Sequence, residues 1–168
     1  MYDYIPVRKG ILARLLALFL FLLSVALLIL SMQLGKAAPF VQSAALLLLL
    51  PTVQIVTRFI IMRYLYRIAP YESGEVDFEI YSYRGGNKMQ LICRVGLEEV
   101  TAVTPLGNEN RKPQKGVPRY NYCPDMKPQN AFVLSVTNAD GDCEVLLQPD
   151  DKLLEIFRSA VAGRQTEN

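Results

Sequence analysis

Hydrophobic and polar positions divide the chain into two parts with different periodicities. Residues 15–32 form a run of 18 without a charge, and residues 37–57 form a second run of 21. A helix needs about 20 apolar residues to cross a bilayer core about 30 Å thick. We therefore predict two transmembrane helices, at about residues 12–32 and 38–62, joined by a turn too short for an external domain. Pro51 lies inside the second helix, where a lipid environment tolerates it.

From residue 70 onward, apolar and polar residues alternate with the period of two that is typical of strands. Alternation at residues 76–81 and 89–95 predicts a first hairpin, with its turn at 84–87. Residues 100–106 predict a third strand, and the proline-rich stretch 107–129 contains a short edge strand at 119–122. Residues 131–137 and 143–147 predict a second hairpin around Asn138, Ala139, Asp140 and Gly141. The pattern thus predicts about six short antiparallel strands.

The end of the chain is predicted to be an amphipathic helix. Asp150 and Asp151 favour its N-terminus, and Gly163 is a candidate for the position just after its C-terminus. Its apolar stripe consists of Leu153, Leu154, Phe157 and Val161. The predicted fold class is a membrane α-helical hairpin (residues 1–69) followed by a small, mainly-β α+β domain (residues 70–168), whose last helix closes one open end of a bent sheet or barrel.

The distribution of charge predicts the orientation in the membrane. Residues 1–69 carry seven basic residues and one acidic residue, whereas residues 70–168 carry 11 basic and 15 acidic residues. Basic residues concentrate on the cytoplasmic side of membrane proteins, and here they number three, one and three before, between and after the helices. This predicts a multi-pass cell-membrane protein with both termini in the cytoplasm. The basic residues in that order are Arg8, Lys9 and Arg14, then Lys36, then Arg58, Arg63 and Arg67.

A cleaved signal peptide is the alternative for the first apolar segment. The segment has a basic start and is followed by the small residues Gly35, Ala37 and Ala38. Its apolar stretch is longer than the 7–15 residues usual for a signal peptide, which favours a membrane span.

Residues 58–69 combine aromatic and aliphatic residues with three arginines. We expect the second helix to continue through them into the headgroup layer, where tyrosines and arginines anchor membrane helices. The predicted interface residues are Arg58, Arg63, Tyr64, Tyr66 and Arg67. A lipid-sensing or gating role for this segment is the alternative to a simple anchor. Neither apolar segment has an ionisable residue near its centre, which disfavours a channel or transporter.

Composition removes several kinds of chemistry. The chain has no histidine, which is the commonest general base and zinc ligand. Its three cysteines are an odd number without CxxC spacing, which favours reduced thiols over a disulfide framework. The basic excess flanks the apolar segments and does not lie on the folded domain, which disfavours nucleic-acid binding. We predict no catalytic residues, no metal and no cofactor.

One polar loop is a candidate lipid-binding site. It carries four cations and no acid, in the set Arg111, Lys112, Lys115 and Arg119. Near an anionic bilayer each cation contributes about 1 kcal/mol of attraction. The alternative is an ordinary solvated loop.

Two segments give the chain a resemblance to a known family. Residues 97–103 (Leu-Glu-Glu-Val-Thr-Ala-Val) and residues 145–151 leading into Phe157 resemble a middle strand and the closing strand and helix of bacterial pleckstrin-homology-like domains. The resemblance covers roughly residues 72–162. It implies a bent antiparallel sheet or partly open barrel capped by the C-terminal helix, and a binding or scaffolding role at a membrane. An inositol-phosphate site is not carried over, because the first hairpin offers only Arg84 and Lys88, with Arg94 further along.

The function predicted from these features is a membrane-anchored, non-catalytic module that binds a protein partner or the inner-leaflet surface, with the lipid bilayer as its environment. The alternatives are a subunit of a membrane enzyme or transport complex, and a purely structural membrane protein. A deep cavity with convergent polar groups would favour the enzyme.

Overall fold

The structure is a computed structural model that describes residues 1–70, 76–85, 88–107, 112–139 and 141–167, with the backbone alone for 164–167. The chain divides into two compact units. We call Lys9–Met62 together with Asp125–Lys127 the helical unit. We call Met1–Arg8, Arg63–Pro124 and Pro128–Asn168 the β unit.

The helical unit contains the two predicted apolar helices. Helix α1 spans Leu12–Ser31 and α2 spans Ala38–Ile55. A single 3-10 turn, Gly35–Ala37, joins them, and Gly35 has a φ of 51°, which glycine adopts without a steric penalty. Helix α2 passes through Pro51 and ends in a π-helical turn, Val56–Ile61. The apolar stretches Leu12–Ser31 and Gly35–Ile61, of 20 and 27 residues, are long and apolar enough to cross a membrane.

The predicted continuation of the second helix through residue 69 is wrong. Met62–Pro70 is strand β2, which pairs antiparallel with strand β1, Tyr2–Tyr4. Alternate residues Tyr64, Tyr66 and Ile68 are buried, which is the period of a strand and not of a helix. Leu65 is buried as well. Because consecutive residues here are apolar or aromatic, the alternation of a strand is not visible in the sequence of this segment. The β unit therefore starts at Arg63 and not at residue 70, and it includes the first eight residues.

The strands form two four-stranded sheets. The first sheet has the order β1-β2-β3-β4, in which β3 is Val76–Arg84 and β4 is Met89–Gly96. The second has the order β5-β7-β8-β6. Its strands are β5 (Val100–Pro105), β6 (Arg119–Asn121), β7 (Phe132–Asn138) and β8 (Gly141–Leu147).

All the strands predicted beyond residue 70 are present, and the α+β class is confirmed. The expectation that every pair is antiparallel is wrong at the edge, because β6 pairs parallel with β8. The connection after β6 carries the chain to β7, which lies antiparallel to β8. Of the predicted turns, Gly86, Asn87 and Asp140 lie outside the described part of the chain, as do residues 71–75 before β3.

The C-terminal helix α3, Asp151–Glu167, begins where it was predicted. Asp150 caps it, because its Oδ1 accepts a hydrogen bond from the Leu153 N–H at 3.0 Å. Gly163 does not end the helix, which continues for another turn. The Tyr2 hydroxyl donates to the other carboxylate oxygen of Asp150, so strand β1 is tied to the start of α3.

A chain of aromatic rings runs through the core of the β unit. Phe78 lies edge-on to Phe157 of α3, with ring centroids 4.9 Å apart. The ring centroid of Tyr66 lies 6.0 Å from that of Phe78 and 6.1 Å from that of Tyr4. The Tyr66 hydroxyl donates to the Tyr122 carbonyl at 2.9 Å. These contacts connect the first sheet with the C-terminal helix and with the segment that follows β6.

Candidate functional site

Small residues line the seam between the two apolar helices. The buried positions are Ala13, Ala17, Ser24 and Ser31 on α1, and Ala45 and Thr52 on α2. Ala17, Ser24 and Ser31 recur every seven residues, as do Ala45 and Thr52, which keeps one face of each helix on its partner. Small side chains allow the two backbones to approach closely. The four-residue spacing of Ala13 and Ala17 is the sequence signal that identifies this face.

The hydroxyl groups of the helices are satisfied without water. Ser24 Oγ crosses the seam and donates to the Ala45 carbonyl at 2.8 Å, with both residues at most 1% exposed. Ser31, Ser43 and Thr52 donate to carbonyls of their own helices at 2.6–2.9 Å. An apolar solvent requires this internal satisfaction, because an unpaired hydroxyl there costs several kcal/mol.

The outward faces of the same helices are mainly apolar, although Arg14, Gln42, Ser43 and Gln54 are also exposed. Only 17% of the apolar window of the first helix and 11% of that of the second are buried. The exposed side chains are large, and they include Leu15, Phe19, Leu22, Phe40, Leu47 and Leu50. The buried hydroxyls of Ser24, Ser31 and Thr52 thus lie inside the helical unit, whereas its largest apolar groups lie outside, the reverse of a water-soluble helical pair. Ser43 is exposed, and its hydroxyl is bonded to its own helix.

A carboxylate supports the chain just ahead of α1. Asp125 accepts hydrogen bonds from the backbone N–H groups of Lys9 and Gly10, at 3.2 and 3.0 Å. Helix α1 has no side-chain cap of its own, so this carboxylate adds negative charge near its N-terminus. A Cβ at position 10 would lie 3.1 Å from Asp125 Oδ1, so a larger residue there requires the carboxylate to shift by a few tenths of an ångström.

The predicted basic loop is not a set of four exposed cations. Lys112 and Lys115 are exposed, and Arg111 lies outside the described residues. Arg119 is instead inside an ion pair: its Nε lies 2.7 Å from Glu144 Oε2, and the two side chains are only 9% and 10% exposed. Its guanidinium also donates to the Lys112 carbonyl at 3.2 Å. The expectation that Arg119 is exposed is therefore wrong, because strand pairing of β6 with β8 places it opposite Glu144.

The five predicted interface residues do not lie together on a helix. Arg58 is in the π-helical turn, with its guanidinium 5.4 Å from the Phe59 ring centroid, and Arg63 is an exposed residue of β2. Tyr64 packs edge-on against Tyr122, and Tyr66 is fully buried. A place in an aromatic belt facing lipid does not fit these two buried tyrosines.

Arg67, the fifth predicted interface residue, belongs to a polar network across the first sheet. It makes a two-pronged ion pair with Asp3, with both distances 2.8 Å, and its guanidinium lies over the Tyr81 ring. Tyr81 donates to Glu79 at 2.8 Å, and Arg94 donates to the same carboxylate at 2.6 Å. All four strands of the sheet contribute to this network, which links them through their outer residues.

The network perturbs the acidity of its carboxyl groups. Burial of Glu79 opposes its ionisation, but hydrogen bonds from Tyr81 and Arg94, with the charges of Arg94 and Arg67, outweigh burial and lower its pKa below 4.5. The hydrogen bonds from Arg67 lower the pKa of Asp3 below 3.8. Both groups are therefore more acidic in the folded chain than in the unfolded chain.

These shifts predict a loss of stability in acid. The contribution of each carboxylate is complete above its unfolded pKa and disappears as the pH falls through its lower folded pKa. We expect the urea midpoint of the β unit to fall steeply below about pH 4.5. Glu79→Gln should lower the free energy of unfolding at pH 7 by about 1–2 kcal/mol. It should also make the urea midpoint depend less steeply on pH in the acid range. Glu155→Gln, at an exposed position of α3, is the matched control, and an equal flattening by both variants would contradict the role of Glu79.

The three thiols are placed for packing and not for reaction. Cys123 is fully buried, and all three cysteines are free. Burial, with the nearby Cys143, raises the pKa of Cys93 to about 11, and burial also raises the pKa of Cys143. A thiol with a raised pKa is a poor nucleophile at neutral pH, because the thiolate is the reactive form.

Within the described ranges, no group of three or more His, Cys, Asp or Glu residues is arranged to hold a metal ion. Comparison of the chain with models of protein families, with curated protein sequences and with solved structures gave no match.

Proposed function

We propose that this protein is a membrane-anchored, non-catalytic module. In this proposal α1 and α2 cross the bilayer as a hairpin, and the β unit lies in the cytoplasm, where it binds a protein partner or the inner-leaflet surface. The observation that carries the proposal is the inverted polarity of the helical unit, with small residues and the hydroxyls of Ser24, Ser31 and Thr52 buried and large apolar side chains outside.

The competing interpretation of an apolar helix is the core of a soluble protein. A core helix buries most of its surface, whereas a monomeric soluble protein rarely exposes an apolar patch larger than a few hundred Å². Here less than one-fifth of each apolar window is buried. Lipid is a solvent in which that surface carries no hydrophobic penalty.

The orientation rests on charge. Arg8, Lys9 and Arg14 precede α1, and Arg58, Arg63 and Arg67 follow α2, whereas Lys36 is alone in the turn between the helices. The proposed topology therefore places both termini in the cytoplasm.

The binding role of the β unit rests on its likeness to pleckstrin-homology-like domains. What supports this part of the proposal is the α+β class, the mainly antiparallel pairing and a C-terminal helix whose Phe157 enters the core. The resemblance also motivates the choice of a binding module over an enzyme. Affinity capture of the full chain from detergent-solubilised membranes, with a Phe157→Ala control that disrupts the domain, tests for a protein partner. If the wild-type chain captured no protein beyond those that the Phe157→Ala chain captures, the proposal of a protein partner would be wrong.

Membrane insertion is tested by extraction. After treatment of membranes at alkaline pH, the full chain should remain in the pellet, and detergent should release it. Recovery in the alkaline supernatant, or in the soluble fraction before treatment, would contradict the proposal.

The topology predicts opposite labelling of two introduced thiols. Lys36 and Lys115 are both exposed residues with similar side chains, and the proposal places them on opposite sides of the membrane. On intact cells a membrane-impermeant maleimide should modify the Lys36→Cys variant and leave the Lys115→Cys variant and the wild-type chain unmodified. After permeabilisation both variants should react. Labelling of Lys115→Cys on intact cells would reverse the assigned sides.

A further inference from the structure

A groove of about 960 Å³ lies along the second half of α2 in the helical unit. It extends from Leu49 through the π-helical turn to Met62. Its volume is in the range of about 300–1,000 Å³ that is usual for small-molecule sites. Apolar side chains such as Leu50, Val53 and Phe59 form most of its wall.

The backbone is irregular along the groove. Pro51 has no N–H and removes one hydrogen bond of α2, and the helix then widens into the π-helical turn Val56–Ile61. Single π turns inside α-helices occur frequently at functional sites. The groove thus lies where α2 departs from regular packing.

The polar lining residues lie toward the π-helical end of the groove. The first lining residues, Leu49, Leu50, Pro51 and Val53, are apolar. Gln54, Thr57 and Arg58 bring an amide, a hydroxyl and a positive charge to the following turns, where Ile55, Phe59 and Met62 complete the apolar wall. A guanidinium matches the geometry of a phosphate oxygen pair. The complementary ligand is therefore elongated and apolar, with an anion at the end that reaches Arg58.

We propose that this groove binds an anionic glycerophospholipid, with acyl chain along residues 49–53 and phosphate at Arg58. This inference rests on the proposed function, because the topology there places Arg58 at the cytoplasmic end of α2, at the level of the headgroups. It goes beyond anchoring, since it assigns a preference for one lipid class to one face of one helix.

Photo-crosslinking of the full chain in liposomes tests the proposal. The liposomes are phosphatidylcholine with a small fraction of either phosphatidylglycerol or phosphatidylcholine that carries a diazirine on an acyl chain, and adducts are mapped by mass spectrometry. Phosphatidylglycerol adducts should concentrate on residues 49–62 at several times the yield of phosphatidylcholine adducts. Arg58→Gln should remove this preference. Arg14→Gln, which changes an exposed cation of α1 outside the groove, should leave it intact.

Equal yields for the two lipids in the wild-type chain, or adducts spread evenly over both helices, would overturn the lipid site while still demonstrating insertion. An equal loss of preference in Arg58→Gln and Arg14→Gln would also overturn it, since general surface charge would then explain the effect. Disulfide-linked dimers of a Val53→Cys variant that form at the expense of lipid adducts would assign the groove to a second copy of the chain. Failure of the chain to float with the liposomes at all would contradict the membrane anchor itself.

Discussion

Phe157→Ala is expected to lower the free energy of unfolding of the β unit by about 3–5 kcal/mol. Phe157 is 1% exposed and lies edge-on to Phe78, which is itself fully buried. The substitution removes this aromatic pair and leaves a cavity at the junction of α3 with the first sheet. Because a domain of this size has a total stability of about 5–15 kcal/mol, the loss is a large share of the whole.

The effect is measured on the full chain in detergent, by urea titration of the tyrosine circular dichroism or by hydrogen exchange of the strand amides. Arg158→Ala is the control, because it changes an exposed neighbour on the same helix. Equal midpoints for Phe157→Ala and Arg158→Ala would show that α3 is peripheral to the fold, and would remove the main support for the pleckstrin-like assignment.

Arg119→Gln is expected to destabilise the β unit by a comparable amount, about 3–5 kcal/mol. The substitution leaves the Glu144 carboxylate, which is about 90% buried with its present partner, without the guanidinium that compensates its charge. Removing one partner of a buried ion pair is far more costly than replacing both. The double variant Arg119→Met with Glu144→Leu should therefore recover most of the lost stability.

Lys115→Gln is the matched control, because this exposed lysine of the same loop should shift stability by no more than about 0.5 kcal/mol. If Arg119→Gln and Lys115→Gln had the same stability, the ion pair would have no structural role, and Arg119 would return to the set of candidate lipid contacts. The expected result also limits how the candidate lipid contacts can be tested. Because replacement of Arg119 would unfold the β unit, a loss of vesicle binding in that variant would not report lipid contact. Lipid contact of the loop is therefore tested with Lys112→Gln and Lys115→Gln.

The length of two uncharged runs predicted the apolar helices, and the alternation of apolar and polar residues predicted strands β3, β4, β5, β7 and β8. These elements are long enough for a local pattern to be visible. Strand β1 has three residues and β2 has arginines beside aromatic and aliphatic residues, a composition shared by interfacial helices. Their pairing, Asp3 with Arg67 and Tyr4 with Tyr66, joins residues more than 60 positions apart, which no local pattern encodes.

The candidate site was less predictable for the same reason. A cation in a polar, proline-rich stretch was expected to be exposed, but Arg119 is paired with a glutamate 25 residues later. The two tyrosines expected at the membrane surface are core residues of the β unit.

A fragment that starts at residue 70 would lack β1 and β2, and with them Tyr66, so it is not an adequate substitute for the full chain in stability measurements.

The central claim is that the outward face of the helical hairpin contacts lipid, and introduced tryptophan tests it most directly. The chain contains no tryptophan, so Leu47→Trp adds a unique fluorophore at an outward, apolar position that is 64% exposed. In liposomes, lipids brominated on their acyl chains should quench this fluorescence strongly and aqueous iodide should quench it weakly. Lys115→Trp, in the exposed loop, should show the reverse. Strong quenching of Leu47→Trp by iodide, with no effect of the brominated lipids, would contradict the claim.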